Sequence, residues 1–318
     1  MRALIVTNMY PTAARPALGS FVRDQVEALR RIGGIDLDVF SFAPGGARAY
    51  ARAAADLRRR RPDRGRDRDR DRDYDVVHAH YGLTAWPAFA ARGSVRAVTL
   101  HGTDLSHPRA RPVTLAALPF LDLVATVSEP LQTQVPGWAV RGTKAVLPCG
   151  VDMRRFRPIP RAEARAALGL PAEGPYLLFP ADPGRTEKRH DRALRVAGGV
   201  PLLALGQIDP AQVPQYVNAA NAVLVPSDRE GFGLAVLEAL ACDVPVLATP
   251  VGIHPQALDG VEGTYCGPFE DAAWRDAVAP HLAGADPRIH GRASAERFST
   301  DRMAAQVLAA WRALLEGE

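Results

Sequence analysis

The chain has 318 residues, a length that favours two domains over a single hydrophobic core. Hydrophobic residues make up 47% and charged residues 23%, which is typical of a soluble globular protein. No apolar run approaches the roughly 18 residues needed to span a bilayer, and the opening MRALIVTNMYP predicts a strand rather than a signal peptide. The cysteines fit neither a disulfide framework nor a zinc site, so we expect a cytoplasmic protein: Cys149, Cys242 and Cys266.

The formal net charge of +4 comes from one segment of the chain. Residues 58–73 contain nine arginines and five aspartates, so the rest of the chain is balanced. The charge therefore gives no support for a nucleic-acid-binding face, and we expect no nucleic-acid partner. The cluster Arg58–Arg61 leaves a peripheral contact with the inner membrane surface open as an alternative.

Predicted strands and helices alternate along the chain. In the first half we expect strands at 2–7, 37–40, 75–82, 95–100, 123–127 and 145–147, and a helix over Phe21–Ile32 with Ser20 as its N-cap. Residues 44–73 are rich in Gly, Ala and Arg and predict a solvated, mobile loop. In the second half we expect strands at 176–179, 201–205, 222–225, 244–248 and 263–266, and helices at 161–168, 213–219, 234–241, 271–282, 291–298 and 303–315.

This alternation predicts an α/β protein with two doubly wound, Rossmann-like domains facing each other across a cleft. We expect the first domain to span residues 1–155 and the second residues 156–300. The two prolines of Arg157–Pro160 are typical of a linker.

A glycine turn between a buried strand and a helix carries the clearest chemistry. Gly231 and Gly233 bracket Phe232, and the helical pattern begins at Leu234. Glycines before a helix start allow a phosphate to approach the backbone, and the helix N-terminus offers N–H groups and a partial positive charge. The acids Glu230 and Glu238 lie too far apart to share a proton, but each can accept hydrogen bonds from hydroxyls of one extended ligand. The pattern fits a nucleotide sugar.

The phrase that begins at Glu230, EGFGLAVLEALACDVPVLATPVGIHPQAL, closely resembles the donor-binding motif of retaining GT-B glycosyltransferases of family 4. The match includes an E-x7-E frame and the following P-V-x-A-T-x-x-G. The resemblance implies a GT-B fold and transfer of a sugar from a nucleotide diphosphate donor with retention at the anomeric carbon. It implies no cofactor beyond the donor co-substrate, and it implies a last helix, within 301–318, that crosses back to the first domain.

The resemblance also assigns roles to single residues. Glu230 would hold sugar hydroxyls, Glu238 the ribose, and the turn Gly231, Phe232, Gly233 and Leu234 the diphosphate. His101, at the end of a predicted strand in TLHGTD, would lie by the donor sugar, and Gly19 would face the donor phosphates. An ordinary packing role remains open for His101 and for Gly19.

Two cations complete the implied site, with one departure from the family pattern. Lys188 matches the family's diphosphate-binding lysine, while the usual arginine position falls on Pro183 and Arg185 comes two residues late. Arg185 would then reach the phosphates from a reshaped loop, and a role as solvated loop cations remains open for both residues. A second departure is Cys149, where relatives commonly carry asparagine in P-N-G-V-D.

No metal ion is expected. The Arg–Asp repeat contains D-x-D strings such as Asp67-Arg68-Asp69, and D-x-D binds metal in the other large glycosyltransferase fold. Here no strand precedes the aspartates and the repeat neutralises itself. His78 and His80 share a strand face without an evident third ligand, so we expect them to be polar residues facing the cleft.

Two alternatives remain open at this point. One is another GT-B activity, such as an epimerase. The other is a non-catalytic sugar-nucleotide-binding protein or a partner subunit of a transferase. The acceptor, whether a glycan, a lipid-linked molecule or a small molecule, is not readable, since acceptor sites are built from variable loops.

Overall fold

The computed structural model describes residues 1–59, 74–206, 208–284 and 286–317. Most of the Arg–Asp segment, including the D-x-D strings and Arg60 and Arg61, lies outside the described residues. The chain divides into two compact units. The first contains Met1–Cys149 and Asp301–Glu318, and the second contains Gly150–Thr300.

A parallel sheet forms the centre of the first unit. Its strands are β1 (Arg2–Thr7), β2 (Asp36–Ser41), β3 (Tyr74–His80), β4 (Gly93–Leu100), β5 (Leu123–Thr126) and β6 (Thr143–Val146). They pair in the order β2-β1-β3-β4-β5-β6. The strand order reverses between β1 and β3, and open α/β sheets bind ligands beyond the carboxyl ends of their strands at such a reversal.

The helices of this unit follow the strands. They are α1 (Ser20–Ile32), α2 (Ala47–Arg59), α3 (Ala85–Ala88), α4 (Thr103–Ser106), α5 (Ala110–Ala117) and α6 (Glu129–Gln132), with 3-10 turns at Gly82–Thr84, Leu118–Phe120 and Gly137–Ala139. Helix α1 buries Val22, Val26 and Leu29, which repeat at helical spacing, in the core of the unit.

A shorter parallel sheet forms the centre of the second unit. Its strands β7 (Leu177–Phe179), β8 (Leu202–Ala204), β9 (Ala222–Val225), β10 (Val246–Ala248) and β11 (Tyr265–Cys266) pair in the order β11-β10-β9-β7-β8. Its helices are α7 (Arg161–Ala167), α8 (His190–Ala197), α9 (Val213–Ala219), α10 (Leu234–Ala241), α11 (His254–Leu258), α12 (Asp271–Ala283) and α13 (Arg292–Glu296), with 3-10 turns at Thr186–Lys188 and Pro210–Gln212. Phe179 and Trp274 lie in its core.

The last helix, α14 (Thr300–Glu316), belongs to the core of the first unit. Met303, Val307 and Trp311 are buried there. The indole Nε1–H of Trp311 donates to Nδ1 of His78 at 3.0 Å, which satisfies a polar atom that the burial of this ring would otherwise leave unpaired.

Arginine side chains tie the chain together inside the second unit. Arg292 donates from Nη1 to the carbonyl oxygens of Phe156 (2.9 Å) and Ala241 (2.7 Å). Arg288 donates from Nη2 to the carbonyl oxygen of Ile159 at 2.8 Å. The segment that follows the crossing from the first unit is therefore bound by charge-assisted hydrogen bonds to the second.

Three local expectations were wrong. Residues 47–59, expected to be part of a loop, form α2, because the alanine-rich sequence favours a helix and buries Ala53 and Leu57 one turn apart. Ser20 is the first residue of α1 and Gly19 is its N-cap. No helix was expected between the strands at 176–179 and 201–205, where the structure has α8.

Within the described ranges, no helix has the length and apolar character needed to span a bilayer.

Candidate functional site

The glycine turn after β9 adopts a backbone that only glycine suits. Gly233 has φ of 117° and forms the N-cap of α10. A Cβ at this position would stand 2.5 Å from Nε2 of His254. No side chain among the described residues caps α10, so the positive end of the helix dipole at Leu234 is suited to an anion.

The turn is held in place by a neighbouring loop and by its own aromatic ring. The N–H of Ile253 donates to the carbonyl oxygen of Phe232 at 2.9 Å. The ring of Phe232 is buried, with its centroid 6.3 Å from that of Phe298. Phe232 therefore anchors the turn by packing, and the backbone of Gly231 and Gly233 is the part suited to contact a ligand.

Lys188 and Glu230 form a nearly buried ion pair beside this turn. The ammonium Nζ lies 2.6 Å from both carboxylate oxygens, and the hydroxyl of Ser227 donates to Oε1 at 2.8 Å. The two side chains are 14% and 9% exposed. The structure thus brings together two of the predicted catalytic residues, which in this state satisfy each other's charge.

Arg185 lies apart from this pair. It is 57% exposed and donates from Nε (2.9 Å) and Nη2 (2.7 Å) to Oε1 of Glu187. Its pairing with a residue of its own loop is typical of a solvated ion pair. A role at the diphosphate would require this side chain to leave Glu187.

His254 is a neighbour of the turn to which no sequence motif assigned a role. The imidazole is fully buried, and Nδ1 lies 2.8 Å from the carbonyl oxygen of Thr249, so Nδ1 carries the proton. Nε2 is then an acceptor, and it has no hydrogen-bond partner among the described residues. Burial lowers the pKa of His254, with Glu230 opposing that shift, so the ring is neutral.

Glu238 occupies the position that the E-x7-E spacing predicts. It lies on α10 one turn beyond Leu234, about 6 Å along the helix axis, and is half-buried. The two acids of the motif therefore lie on either side of the helix start, with Glu230 before it and Glu238 after it.

In the first unit, Asp104 fixes the loop that carries His101. Its Oδ1 accepts from the N–H of Gly82 at 2.6 Å, and its Oδ2 accepts from the N–H groups of His101 (2.5 Å) and Gly102 (3.0 Å). Asp104 is fully buried, and burial raises the pKa of its carboxyl while these amide donors oppose the shift. Asp104 therefore joins the ends of β3 and β4, a role that no pattern in the sequence indicated.

A chain of hydrogen bonds sets the tautomer of His101. The amide nitrogen of Gln25 faces Nε2 of His80 at 3.2 Å, so the proton of His80 is on Nδ1. Nδ1 of His80 lies 3.1 Å from Nε2 of His101, which therefore accepts, and the proton of His101 is on Nδ1. Nδ1 of His101 is therefore an N–H donor.

His78 and His80 were expected to face a cleft, and this was wrong. Both rings are buried, and their centroids stack 5.0 Å apart. Nε2 of His78 donates to Oγ1 of Thr99 at 2.8 Å while its Nδ1 accepts from Trp311. Burial lowers the pKa of His80 to about 3 and holds the pKa values of His78 and His101 well below 6.5.

Gly19 lies beside the carboxyl end of β1. Its φ is 66°, and a Cβ there would overlap the carbonyl oxygen of Met9. Phe21, two residues later, places its ring centroid 4.8 Å from that of His101. Gly19 and His101 therefore lie in one region of the first unit, near the reversal of strand order.

The predicted site residues thus form two groups. Lys188, Glu230, the glycine turn and Glu238 lie in the second unit, and Gly19 and His101 lie in the first. Among the residues that the structure describes, no group of three or more His, Cys, Asp or Glu side chains is arranged to hold a metal ion.

The low pKa values of the buried histidines lead to a prediction of how the unfolding free energy depends on pH. Their pKa values are lower in the folded state than the usual 6.5, so the stability they contribute is complete above that pH. It is lost as the pH falls, because the unfolded chain then binds protons that the folded chain does not.

Substitution of His80 tests this dependence. Between pH 7 and 5, His80→Gln should reduce the slope of unfolding free energy against pH, measured by urea titration, by up to about 1.4 kcal/mol per pH unit. Gln25→Leu breaks the same hydrogen bond without removing a titrating group and should keep the slope. An unchanged slope in His80→Gln would contradict a neutral, buried His80.

The contact between Gly233 and His254 predicts a coupled pair of substitutions. Gly233→Ala should lower the unfolding free energy by about 2 kcal/mol or more, through backbone strain plus the clash with His254. Gly174→Ala is the matched control, because Gly174 has φ of 85° with nothing within 4 Å of its Cβ position, and it should show the backbone cost alone. Gly233→Ala with His254→Ala should cost less than the two single changes added together. If the losses of unfolding free energy measured in urea simply add, the imidazole ring does not clash with the side chain introduced at position 233.

Each of the two units matches a known family. Residues 18–155 match the sequence profile of "Glycosyltransferase Family 4", and residues 183–283 match that of "Glycosyl transferases group 1". The second match contains Lys188, the glycine turn and Glu238.

Curated relatives that match this chain are named D-inositol 3-phosphate glycosyltransferase. The protein from Actinosynnema mirum is 32% identical over 74% of this chain and 72% of its own length. The protein from Segniliparus rotundus is 33% identical over 54% of this chain, and the chain spans about half (47%) of its length.

Solved structures resemble this one along the whole chain. Sucrose-phosphate synthase from Thermosynechococcus elongatus superposes with a TM-score of 0.74 at 21% identity, covering 100% of both chains. Anabaena Alr3699/HepE in complex with UDP-glucose superposes with a TM-score of 0.67 at 18% identity, covering 98% of this chain and 100% of that one. These similarities confirm the GT-B fold that the sequence predicted, and with the matched profiles and relatives they establish that the chain belongs to the glycosyltransferases of group 1, family 4.

Proposed function

We propose that this chain transfers a sugar from a nucleoside diphosphate sugar to an acceptor, with retention at the anomeric carbon and without a metal ion. The observation that carries the proposal is the Lys188–Glu230 pair beside the start of α10. It places a cation, a helix dipole and a hydrogen-bond acceptor at one point, which is what a diphosphate next to a sugar requires.

The leaving group determines what the site has to supply. Cleavage of the bond between the anomeric carbon and the diphosphate leaves negative charge on the phosphate oxygens. Charge developed in a transition state is best stabilised by donors already in place. Lys188 and the amides from Gly231 to Leu234 would supply that stabilisation, with Arg185 joining if it releases Glu187.

The remaining residues would orient the donor. Glu230, released by Lys188 as the phosphates arrive, would accept hydrogen bonds from sugar hydroxyls, and Glu238 would accept them from the ribose. His101 would donate from Nδ1 to a sugar oxygen, because its Nε2 is engaged by His80. Gly19 would let the phosphates approach the backbone of the first unit. Retention rests on the family, in which no dedicated protein nucleophile is assigned.

The first substrates to test follow from the comparisons. UDP-glucose is bound in one structural neighbour, so it is the first donor. The relatives are named for D-inositol 3-phosphate, so a phosphorylated cyclitol is the first acceptor, followed by lipid-linked and glycan acceptors. Release of nucleoside diphosphate that depends on an acceptor would exclude a non-catalytic sugar-nucleotide-binding protein, the alternative that remains.

Loss of the ammonium at position 188 should cut turnover. Lys188→Ala should lower kcat by about 10²–10³, the scale for removing one prepositioned charge donor. Lys188→Ala also leaves the carboxylate of Glu230 without its partner charge, which lowers the melting temperature. Adding Glu230→Gln should therefore restore the melting temperature but not the turnover. Lys144→Ala is the control, because it removes the other lysine of the chain, which lies in the first unit, and should leave kcat unchanged. Activity should persist in EDTA; loss of activity restored by manganese, or a fully active Lys188→Ala, would contradict the proposal.

The role of Glu238 can be separated from catalysis by using the bare nucleotide. Glu238→Ala should weaken UDP binding by about 1.5–3 kcal/mol, or roughly 10- to 150-fold, as expected for one lost hydrogen-bond partner that is charged. Glu262→Ala removes an exposed carboxylate from the same unit and should leave affinity unchanged. Calorimetric titration measures both. Equal affinities of Glu238→Ala and the unmodified chain would place the ribose elsewhere.

A further inference from the structure

One surface of the first unit carries an unusual share of exposed apolar side chains. Trp138 is 77% exposed, Phe120 63%, Val113 44% and Trp86 41%. Of the seven large hydrophobic residues that are exposed in the described part of the chain, these four lie in one region. Single exposed apolar residues need no explanation, but a contiguous group of them marks an interaction site.

Direct contacts show that the first part of this surface is continuous. The indole Nε1–H of Trp86 donates to the carbonyl oxygen of Val113 at 3.1 Å. The ring of Phe89 lies 5.9 Å from that of Trp86 and 6.3 Å from that of Phe120, measured between centroids. Trp86, Val113 and Phe120 therefore border one patch rather than three separate sites.

A groove extends the patch to Trp138. It has a volume of about 550 Å³ and is lined by Trp138, Leu115, Pro119 and Arg111, among others. Pro119 precedes Phe120 in the chain, so the groove meets the aromatic residues described above. We call the surface formed by Trp86, Val113, Phe120, Trp138 and this groove the aromatic patch.

The charges in and around the aromatic patch favour an anionic partner. Arg111 lines the groove, and no described residue that lines it is acidic. Arg109 and Arg141 are exposed and follow Pro108 and Trp138 closely in the chain. The nearest acid in sequence, Asp122, accepts a hydrogen bond from the backbone N–H of Arg96.

The composition of the patch favours a lipid bilayer over a second copy of the chain. Tryptophan concentrates at membrane–water interfaces, where its ring is apolar and its N–H is polar, and arginines near it are attracted to anionic headgroups. A symmetric dimer would instead place the same patch, with its arginines, against itself.

We propose that the aromatic patch docks the first unit onto the headgroup layer of a bilayer that contains anionic lipid. Trp138 and Phe120 insert among the headgroups, and Arg111, Arg109 and Arg141 contact lipid phosphates. This is a different part of the chain from the arginine cluster 58–61 that the sequence suggested for membrane contact. The proposal does not depend on which sugar or acceptor the site uses.

The tryptophans provide a direct readout. The chain has four, and Trp274 and Trp311 are fully buried, so a vesicle-induced change in emission reports on Trp86 and Trp138. The test vesicles are phosphatidylcholine with about 30% phosphatidylglycerol. They should shift the tryptophan emission to the blue and co-sediment the protein. Vesicles of phosphatidylcholine alone should bind it at least about tenfold more weakly, and salt should weaken binding to the anionic ones.

Substitutions assign the binding to the patch. Trp138→Ser with Phe120→Ser should lower the partition onto anionic vesicles by about tenfold or more, and Arg111→Glu should lower it as well. Leu194→Ser is the matched control, because Leu194 is 53% exposed in the second unit, and it should bind like the unmodified chain. All these side chains are on the surface, so melting temperatures and donor turnover in the absence of vesicles should stay unchanged, which separates this proposal from that of the catalytic site.

Three outcomes would overturn the proposal. The first is an unmodified chain that does not bind anionic vesicles. The second is binding that survives Trp138→Ser with Phe120→Ser but is lost when residues 64–73 are deleted, which would transfer the membrane contact to the Arg–Asp repeat. The third is a dimer in light scattering that Trp138→Ser dissociates, which would assign the patch to a second copy of the chain.

Discussion

The ion pair between Lys188 and Glu230 is the interaction on which the proposed donor site depends. With side chains 14% and 9% exposed, neither charge can lose its partner without leaving an isolated charge in a poorly solvated place. A small anion would bind the ammonium but strand the carboxylate. A sugar diphosphate offers phosphate oxygens to Lys188 and hydroxyls to Glu230 together, so the pair favours ligands that carry both groups. In the proposed mechanism the ion pair would therefore contribute to the selection of the donor.

The surroundings of the pair keep it in position by packing. The glycine turn is pressed against His254, and Phe232 is fixed by Ile253 and by burial of its ring. The first unit obtains rigidity by another route, since Asp104 and a line of neutral histidines fix the loop of His101. In both units these orienting residues lie at or after the carboxyl ends of the strands.

The sequence predicted those features that depend on local chemistry. Gly233 and the E-x7-E spacing were readable because a turn and one helix relate their members directly. His254 and Asp104 were not, because their roles arise from contacts with Gly233 and Gly82 that only the folded chain brings together. Helix α2 was missed because its biased composition masked the one-turn spacing of Ala53 and Leu57. Arg185 shows the limit of motif alignment, since a cation near the family's position pairs here with Glu187.

The lysine at position 188 has a physical rationale in a chain whose cations are mostly arginines, with two lysines among 39 basic residues. Arginines such as Arg292 and Arg288 hold several carbonyl oxygens at once through their planar forks, which suits permanent structural contacts. The same fork opposite Glu230 would form a bidentate pair that resists opening. An ammonium is a compact charge on a flexible stem, so it can turn from the carboxylate toward a phosphate without losing a matched geometry. In the proposed mechanism Lys188 would exchange Glu230 for a phosphate, and a flexible ammonium suits that exchange.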